Sequence, residues 1–474
     1  MDADKTGSRS VLNASKGSVS APAGCGKTHL IAACIRASTD GKPILILTHT
    51  NAGVAALRGR LDAAGVPRTR YRITTIDGWA MRLVGTFPHR SGQHPDILKL
   101  KNPGTDYPAL RDGALAIING QHLLGVIEAT YSRLIVDEYQ DCIEQQHGMI
   151  AQLSELLPTC VMGDDMQAIF GWGKNILVDW TNGVEASFPS IGHLSTPWRW
   201  DNAGAPKLGQ WLLWARSALQ TGAPIDLRSA PDEVTWMQIS GPDDIQTLTR
   251  AAYAASPVSD GGALIICDGR RPNRHRDIAG RVKGAVVVEN ADLSDFIRFA
   301  ERFNFDAPSA TDDLIDFAAS TLTGVGAAQL KQRLVSLLAG RAHKGPTDVE
   351  EAAIAFSKQP IPVAAVELLV EINKQPGVSP LRPAILRAAI QALNGCVSKA
   401  DFHEMAVRAR EQSRVLGRSV PRRAVGSTLL LKGLEADVSV VLDTDVLDAR
   451  NLYVALTRGS RRLVVCSTSP VLQR

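Results

Sequence analysis

No apolar run in this 474-residue chain approaches the roughly 20 residues that a membrane-spanning helix needs. Its start, MDADKTGSRS, lacks the basic region and apolar core of a secretory signal. A cytoplasmic protein with no membrane partner is therefore expected. The seven cysteines (Cys25, Cys34, Cys142, Cys160, Cys267, Cys396, Cys466) are odd in number and never spaced as C-x-x-C, which argues against a disulfide framework and a zinc site. The thiols are read as reduced and mostly core-filling. A surplus of charge of one sign is also missing, since 52 Lys and Arg face 48 Asp and Glu for a net +4. Proteins that hold nucleic acid by bulk charge carry a strongly basic domain, so any such contact here uses a local groove. The arginine clusters at Arg270, Arg271, Arg274, Arg276 and Arg281 and at Arg408, Arg410, Arg414, Arg418, Arg422 and Arg423 are read first as solvated faces. No internal repeat of fixed period is present.

What is present is ordinary globular composition, 45% hydrophobic and 21% charged, over a length that suggests roughly three domains. From residue 11 to 141, short apolar runs (SVSAP, PILILTHT, RLIVDEYQD) alternate with helical patterns (THLIAACIRAS, NAGVAALRGRLDAAG), the signature of β-α-β units around a buried parallel sheet. A Pro- and Gly-rich stretch from Gly85 to Pro108 reads as an insertion of loops and short helices. Strand signals continue at CVMGDD, IGHLSTPWRW and GGALIICDGRR, give way to helix after helix from about Asp292 to Gln412, and return at VGSTLLL, DVSVVLD and RRLVVCSTS. The expected layout is a first α/β domain over 1–200 with a small insertion at about 80–130, and a second over 201–291 and 413–474, split by a helical insertion at 292–412.

Two segments carry chemistry. APAGCGKT (Ala21, Pro22, Ala23, Gly24, Cys25, Gly26, Lys27, Thr28) lies between a strand and a helix, where backbone N–H groups and a helix N-terminus hold a phosphate chain. It departs from G-x-x-x-x-G-K-[ST] only at Ala21. Lys27 would reach the β- and γ-phosphates and Thr28 would offer a hydroxyl to magnesium. About 110 residues on, Asp137 and Glu138 end an apolar strand. Nucleotide hydrolysis needs one carboxylate for the metal, assigned to Asp137, and one to orient and deprotonate water, assigned to Glu138.

With these residues placed, the sequence resembles the UvrD/Rep-like superfamily 1 helicases, with segments in the family's order. APAGCGKT resembles motif I, LTHTNAGVAAL motif Ia, DEYQD motif II, GDDMQAIFGW motif III, LSTPWRW motif IV, GSTLLLKGLEADVSVV motif V and LYVALTRG motif VI. The resemblance implies two RecA-like P-loop NTPase domains with parallel sheets, reduced and mainly helical insertions, and use of ATP and Mg2+. It implies that Gln167 senses the γ-phosphate, that Arg199 and Arg458 are arginine fingers, Arg458 from the second domain, and that Trp198 stacks on adenine. Gly433 and Glu435 would approach the γ-phosphate and ribose. On the DNA side it points to Phe170 and Trp172 as base-stacking rings, with Thr50, Asn51, Thr75, Trp79 and Arg461 or Arg462 as lesser contacts; Trp79 is equally readable as a core tryptophan.

The sequence departs from the family pattern at several positions. No glutamine precedes Gln93, His29 follows the P-loop threonine where arginine is common, Leu429 stands for the motif V histidine with Ser427 leading that motif, Thr75-Ile76-Asp77 replaces T-x-H, and Gly173 follows Trp172. The resulting expectation is an ATP-dependent translocase or helicase on single-stranded or tailed duplex DNA, 3′→5′ by family inference. The alternative is a DNA-stimulated ATPase subunit beside a partner nuclease in a Gabija-like antiphage complex. DNA repair and antiviral defence are the corresponding settings.

Overall fold

The computed structural model describes residues 2–120, 123–171, 176–416 and 421–473, so Trp172 and Arg418 lie outside the described residues. The chain forms two compact units, Met1–Thr235 with Leu447–Arg462 and Pro470–Arg474, and Trp236–Val446 with Leu463–Ser469.

The first unit is built on β1 (Lys16–Ser20), β2 (Ile44–Thr48), β3 (Tyr71–Thr75), β4 (Arg133–Val136), β5 (Thr159–Gly163) and β6 (Ser190–His193). Their order is β3-β2-β4-β5-β1-β6, and every neighbouring pair is parallel. Strands β2, β4 and β5 are buried throughout, as strands covered on both faces must be. Side chains alternate across a strand. Ile44 and Ile46 therefore join the core with the helices Lys27–Ala37 and Asn51–Ala63. Leu45 and Leu47 join the other, with Ile76–Thr86, Pro103–Asn119 and Glu144–Leu153. The Pro- and Gly-rich stretch folds as helical pieces, Pro88–Ser91, Pro95–Lys99 and the first turns of Pro103–Asn119. Each opens on a proline, whose missing N–H sits where a helix has no partner for it. Because the strands run parallel, the loops after β1, β2, β4 and β5 gather on one rim; they hold APAGCGKT, Thr50, DEYQD and GDDMQ.

The second unit's sheet runs Ala285–Val287, Arg423–Gly426, Ala263–Ile266, Ala436–Val441, Gly459–Ser467, Val234–Gln238, with the first four strands mutually parallel. Between residues 294 and 416 seven α-helices share a core of their own around Phe296, Ile315, Phe356, Leu368 and Phe402. Arg382, 5% exposed in its side chain, ties this block to Glu289 just before it and pairs with Asp295 on its first helix. The α/β class with mainly helical insertions is the one expected. VGSTLLL, expected as a strand, is one only over Val425 and Gly426. The strand ends at Gly426, and the Ser427 hydroxyl accepts the Leu430 N–H, which starts the short helix Thr428–Leu431. All seven cysteines are free thiols, six of them buried. No helix among the described residues is long and apolar enough to cross a membrane.

Candidate active site

The P-loop leaves β1 through Ala21, whose N–H donates to the Gly163 carbonyl at 2.7 Å and so ties the loop to β5. Gly24 and Gly26 take φ of +70° and +89°, values that favour glycine. Space imposes the same choice: a Cβ on Gly24 would sit 2.6 Å from the Trp200 ring, and one on Gly26 2.9 Å from Trp198. Trp198 is thus no core residue. It lies against the P-loop with 43% of its surface exposed, while Trp200 is buried and donates from Nε1 to the Gly459 carbonyl at 2.8 Å. The loop is further held by the Ala23 N–H donating to the Tyr453 hydroxyl at 3.1 Å and the Arg199 N–H donating to the Gly24 carbonyl at 3.1 Å. Cys25, inside the loop, has its thiol pushed up to about 12 by burial and stays neutral. His29 is exposed on the following helix. Gly24→Ala should lower stability by about 1–3 kcal/mol through overpacking and left-handed backbone strain. Chemical denaturation of the variant checks this, and an unchanged midpoint refutes it.

Lys27 opens the helix Lys27–Ala37 and meets both carboxylates of motif II. Its Nζ lies 2.7 Å from Glu138 Oε1 and 3.4 Å from Asp137 Oδ1. Burial opposes the ammonium charge, but the Glu138 and Asp137 carboxylates outweigh it and raise the lysine pKa above its ordinary value. Asp137 is shifted upward by the same burial, restrained by Lys27. Glu138 has left-handed backbone, φ +55°, uncommon for a side-chain-bearing residue and typical of strain held at functional sites.

Further contacts run on from Glu138 along the rim. Gln140 donates from Nε2 to Glu138 Oε2 at 2.6 Å and accepts the Asp164 N–H on Oε1 at 3.1 Å. Gln167 donates from Nε2 to Asp164 Oδ2 at 3.0 Å, and Arg458 donates to Gln167 Oε1 at 3.3 Å. Asp164, fully buried, receives Arg216 from the helix Pro206–Thr221 at 2.8 Å. Arg458 is itself 3% exposed and bonded to the Val454 carbonyl at 2.9 Å; Arg199 donates to the Thr457 carbonyl at 2.8 Å. Residues 447–462, expected in the second α/β domain, belong to the first unit, so Arg458 stands on the same unit as Lys27.

Reasoning from sequence missed Arg216 and the bridging part of Gln140. Nothing around Arg216 marks it in one dimension, because its importance comes from being buried beside Asp164. Removing it as Arg216→Met strands that buried carboxylate and should lower stability by about 3–5 kcal/mol. Denaturant unfolding measures this, and a loss below about 1 kcal/mol, the size of a surface pair, would contradict it.

For magnesium the chain offers hard oxygen donors, the Thr28 hydroxyl and the Asp137 carboxylate. Thr28 Oγ1 accepts from Arg60 at 3.1 Å, and Asp137 Oδ1 accepts the Glu138 N–H at 2.9 Å. Among the described residues no group of three or more His, Cys, Asp or Glu forms a metal cage. Two oxygens fit an ion that fills its shell with water and substrate phosphates.

Of the DNA-side residues, Thr50 and Thr75 follow β2 and end β3 and cap the next helices, accepting from the Gly53 and Gly78 N–H groups. Asn51 is exposed beside Thr50, and Phe170 packs its ring 5.6 Å from that of His49. Trp79 is 6% exposed within the core beneath the helix Ile76–Thr86, so it offers no face to a base and the core alternative holds. The reason is its position: the helix turns that face onto Leu45 and Leu134. Asp77, where the family has histidine, is held by Arg111 at 2.7 Å. Arg461 donates to the Ala203 carbonyl and Arg462 to the Thr235 hydroxyl. Gly433 (φ +81°) and Glu435 lie on the second unit, both exposed. The arginine clusters noted in the sequence are largely neutralised locally: Arg270 by Asp268, Arg274 by Asp443, Arg276 by Asp295, Arg408 by Glu404 and Arg422 by Asp260.

Compared with known proteins, residues 100–176 match the model of the UvrD/REP helicase N-terminal domain. No curated protein matches the chain. Among solved structures, it is similar to the Pif1 helicase from Candida albicans at 13% identity and a TM-score of 0.43, covering 100% of this chain and 97% of that one. It is also similar to the arterivirus nonstructural protein 10 helicase solved with DNA, at 11% identity and a TM-score of 0.29, covering 56% and 50%. The stretch matched by the family model contains both the DEYQD carboxylates that hold Lys27 and the GDDMQ segment wired to them, so over residues 100–176 this chain is similar to the N-terminal domain of the UvrD/REP helicases.

Proposed function

We propose that the chain is an ATP-dependent motor on single-stranded DNA, a cytoplasmic 3′→5′ translocase that unwinds tailed duplex, with ATP and magnesium at the Lys27 site. One observation carries this reading: an unbroken set of contacts runs from Lys27 through Glu138, Gln140, Asp164 and Gln167 to Arg458. A P-loop that only bound nucleotide would have no need of a wired carboxylate and a sensor amide.

In this reading Lys27 exchanges its carboxylate partners for phosphate oxygens. Glu138, thereby released but still held by Gln140, accepts a proton from water. Thr28 and Asp137 would hold magnesium, which would supply neutralisation of charge on the phosphates. Arg199 and Arg458 stabilise charge on the transferring phosphoryl after giving up their carbonyl partners. Trp198 stacks on the base and Ala21 to His29 surround the phosphates; Gly433 and Glu435 are the remaining candidates for nucleotide contact. Thr50, Asn51, Thr75 and Phe170 form the DNA side, on the carboxyl rim where parallel sheets bind ligands, and Trp172 is assigned to the same task from its place in the sequence.

ATP hydrolysis with and without single-stranded DNA, followed by strand displacement on 3′-tailed and 5′-tailed duplexes, tests the proposal. DNA stimulation and unwinding of the 3′-tailed substrate are expected. Unwinding of the 5′-tailed substrate alone would reverse the polarity, and no stimulation would sink the motor reading. Strand displacement by the isolated chain also rejects the regulatory subunit beside a nuclease, which predicts stimulation without unwinding. Phe170→Ala should weaken DNA binding by about 1–3 kcal/mol, the worth of one stacked base. Fluorescence anisotropy with a labelled strand reads this, and unchanged affinity removes Phe170 from the DNA side.

A further inference from the structure

The chain's net charge is +4, and residues 58–82 carry six arginines against two aspartates, so a surplus as large as that of the whole protein sits in this one stretch of the first unit. It folds as the end of the helix Asn51–Ala63, the strand β3 and the start of the helix Ile76–Thr86. Here β3 is an edge strand, paired only with β2. A cavity of about 340 Å³ opens along it, lined by Arg58, Arg68, Arg72 and Arg82 and floored by Tyr71, Trp79 and Tyr131.

The four cations are not equivalent. Arg68 is spent on Asp62, at 2.6 Å, and the second aspartate of the stretch, Asp77, is held by Arg111. Arg58, Arg72 and Arg82 are exposed and make no ion pair among the described residues. Arg72 uses one amino group on the Arg68 and Tyr71 carbonyls, which fixes its position and leaves its charge uncompensated. Other arginine clusters of this protein have acids at hand; this one has three cations around a concave surface whose one nearby acid, Asp62, is already paired with Arg68 and is felt by Arg58 only at longer range. A cation on a free sheet edge works against strand addition. The favoured occupant is therefore not an added peptide strand but a chain of phosphates, which arginine binds through its planar fork of donors.

We propose that this edge groove is a second DNA-binding site, in which Arg58, Arg72 and Arg82 hold the phosphate backbone of a strand segment outside the rim that carries Thr50 and Phe170. The groove is built chiefly to take phosphates, because two of the three rings that floor it, Tyr71 and Trp79, are each less than 10% exposed and present no stacking face, and only Tyr131 is half-buried. It rests on the proposed function in taking DNA as the ligand, and it gives a nearly neutral chain a local electrostatic hold on its track.

The test is the salt dependence of DNA binding. Each phosphate neutralised adds about 0.7 to the slope of log affinity against log salt for single strands and about 0.9 for duplex. The triple variant Arg58→Gln/Arg72→Gln/Arg82→Gln should lower the slope for a tailed duplex by about 2, and weaken binding at low salt about 10-fold or more. The triple Lys variant should restore the slope, since it keeps charge at each position, and circular dichroism confirms that both fold. Wild-type ATPase stimulation by single-stranded DNA is measured first. If stimulation is absent, the motor reading fails. If stimulation is present and the Gln variant keeps the wild-type slope, the groove proposal is overturned, and so it is if an acidic peptide binds the groove while the DNA slope is unchanged.

Discussion

Lys27→Ala should abolish nucleotide hydrolysis, lowering kcat/KM by about 1,000-fold or more, the loss seen when a preorganised stabiliser of developing charge is removed. The lysine acts twice. Its ammonium is the cation nearest the motif II carboxylates, 2.7 Å from Glu138 and 3.4 Å from Asp137, and so is poised to exchange them for phosphate oxygens. It also sets the charge of Asp137, whose carboxyl burial already raises and which Lys27 pulls back, helped by the Glu138 N–H. Without the lysine that pKa climbs further, and a neutral carboxyl is a poor ligand for magnesium. Loss of hydrolysis should therefore come with loss of nucleotide affinity, read by a fluorescent ATP analogue. Lys27→Arg keeps the charge but replaces a compact ammonium by a wide planar fork, so it should recover little. Wild-type turnover in Lys27→Ala would remove the P-loop from the mechanism.

Glu138→Gln should separate binding from chemistry. The amide keeps the size of the carboxylate and its place beside Lys27, but it cannot take a proton from water, and a lost general base is worth about 100- to 10,000-fold in kcat. KM for ATP should hardly move. Gln140 and the left-handed backbone at Glu138 hold the side chain in place, so the expected signature is a variant that binds nucleotide and DNA normally and does not turn over. A matched fall in affinity and kcat would show that Glu138 is chiefly the counter-ion of Lys27, and the base would then have to be sought elsewhere on the rim. Gln140→Ala is the companion measurement: it leaves the carboxylate chemically intact but unwired from Asp164, and should lower kcat by less than Glu138→Gln does.

Much of this site was legible in one dimension because its chemistry is local. APAGCGKT and DEYQD each sit at a strand end, and a strand followed by a turn and a helix places its own phosphate-facing groups without help from distant residues. Lys27 meeting Glu138 and Asp137 follows from two strand-end motifs on one rim of a parallel sheet, on strands separated by β5. The helical block after residue 292 was legible for the same reason, since apolar spacing marks each helix on its own.

Only the tertiary structure decided which side chains face inward and which charges are compensated. Trp79 and Trp198 are both tryptophans beside a motif, yet one is covered by the Leu45 and Leu134 side of the sheet and the other lies open across Gly26. Arg216 became a partner of Asp164 because its helix brings it to a buried carboxylate 52 residues away in sequence. The net charge of +4 with which the sequence began pointed to a local groove without locating one. The location depends on which arginines have an acid within reach, a fact of distance in space, and by that measure the uncompensated charge sits on the free edge of β3.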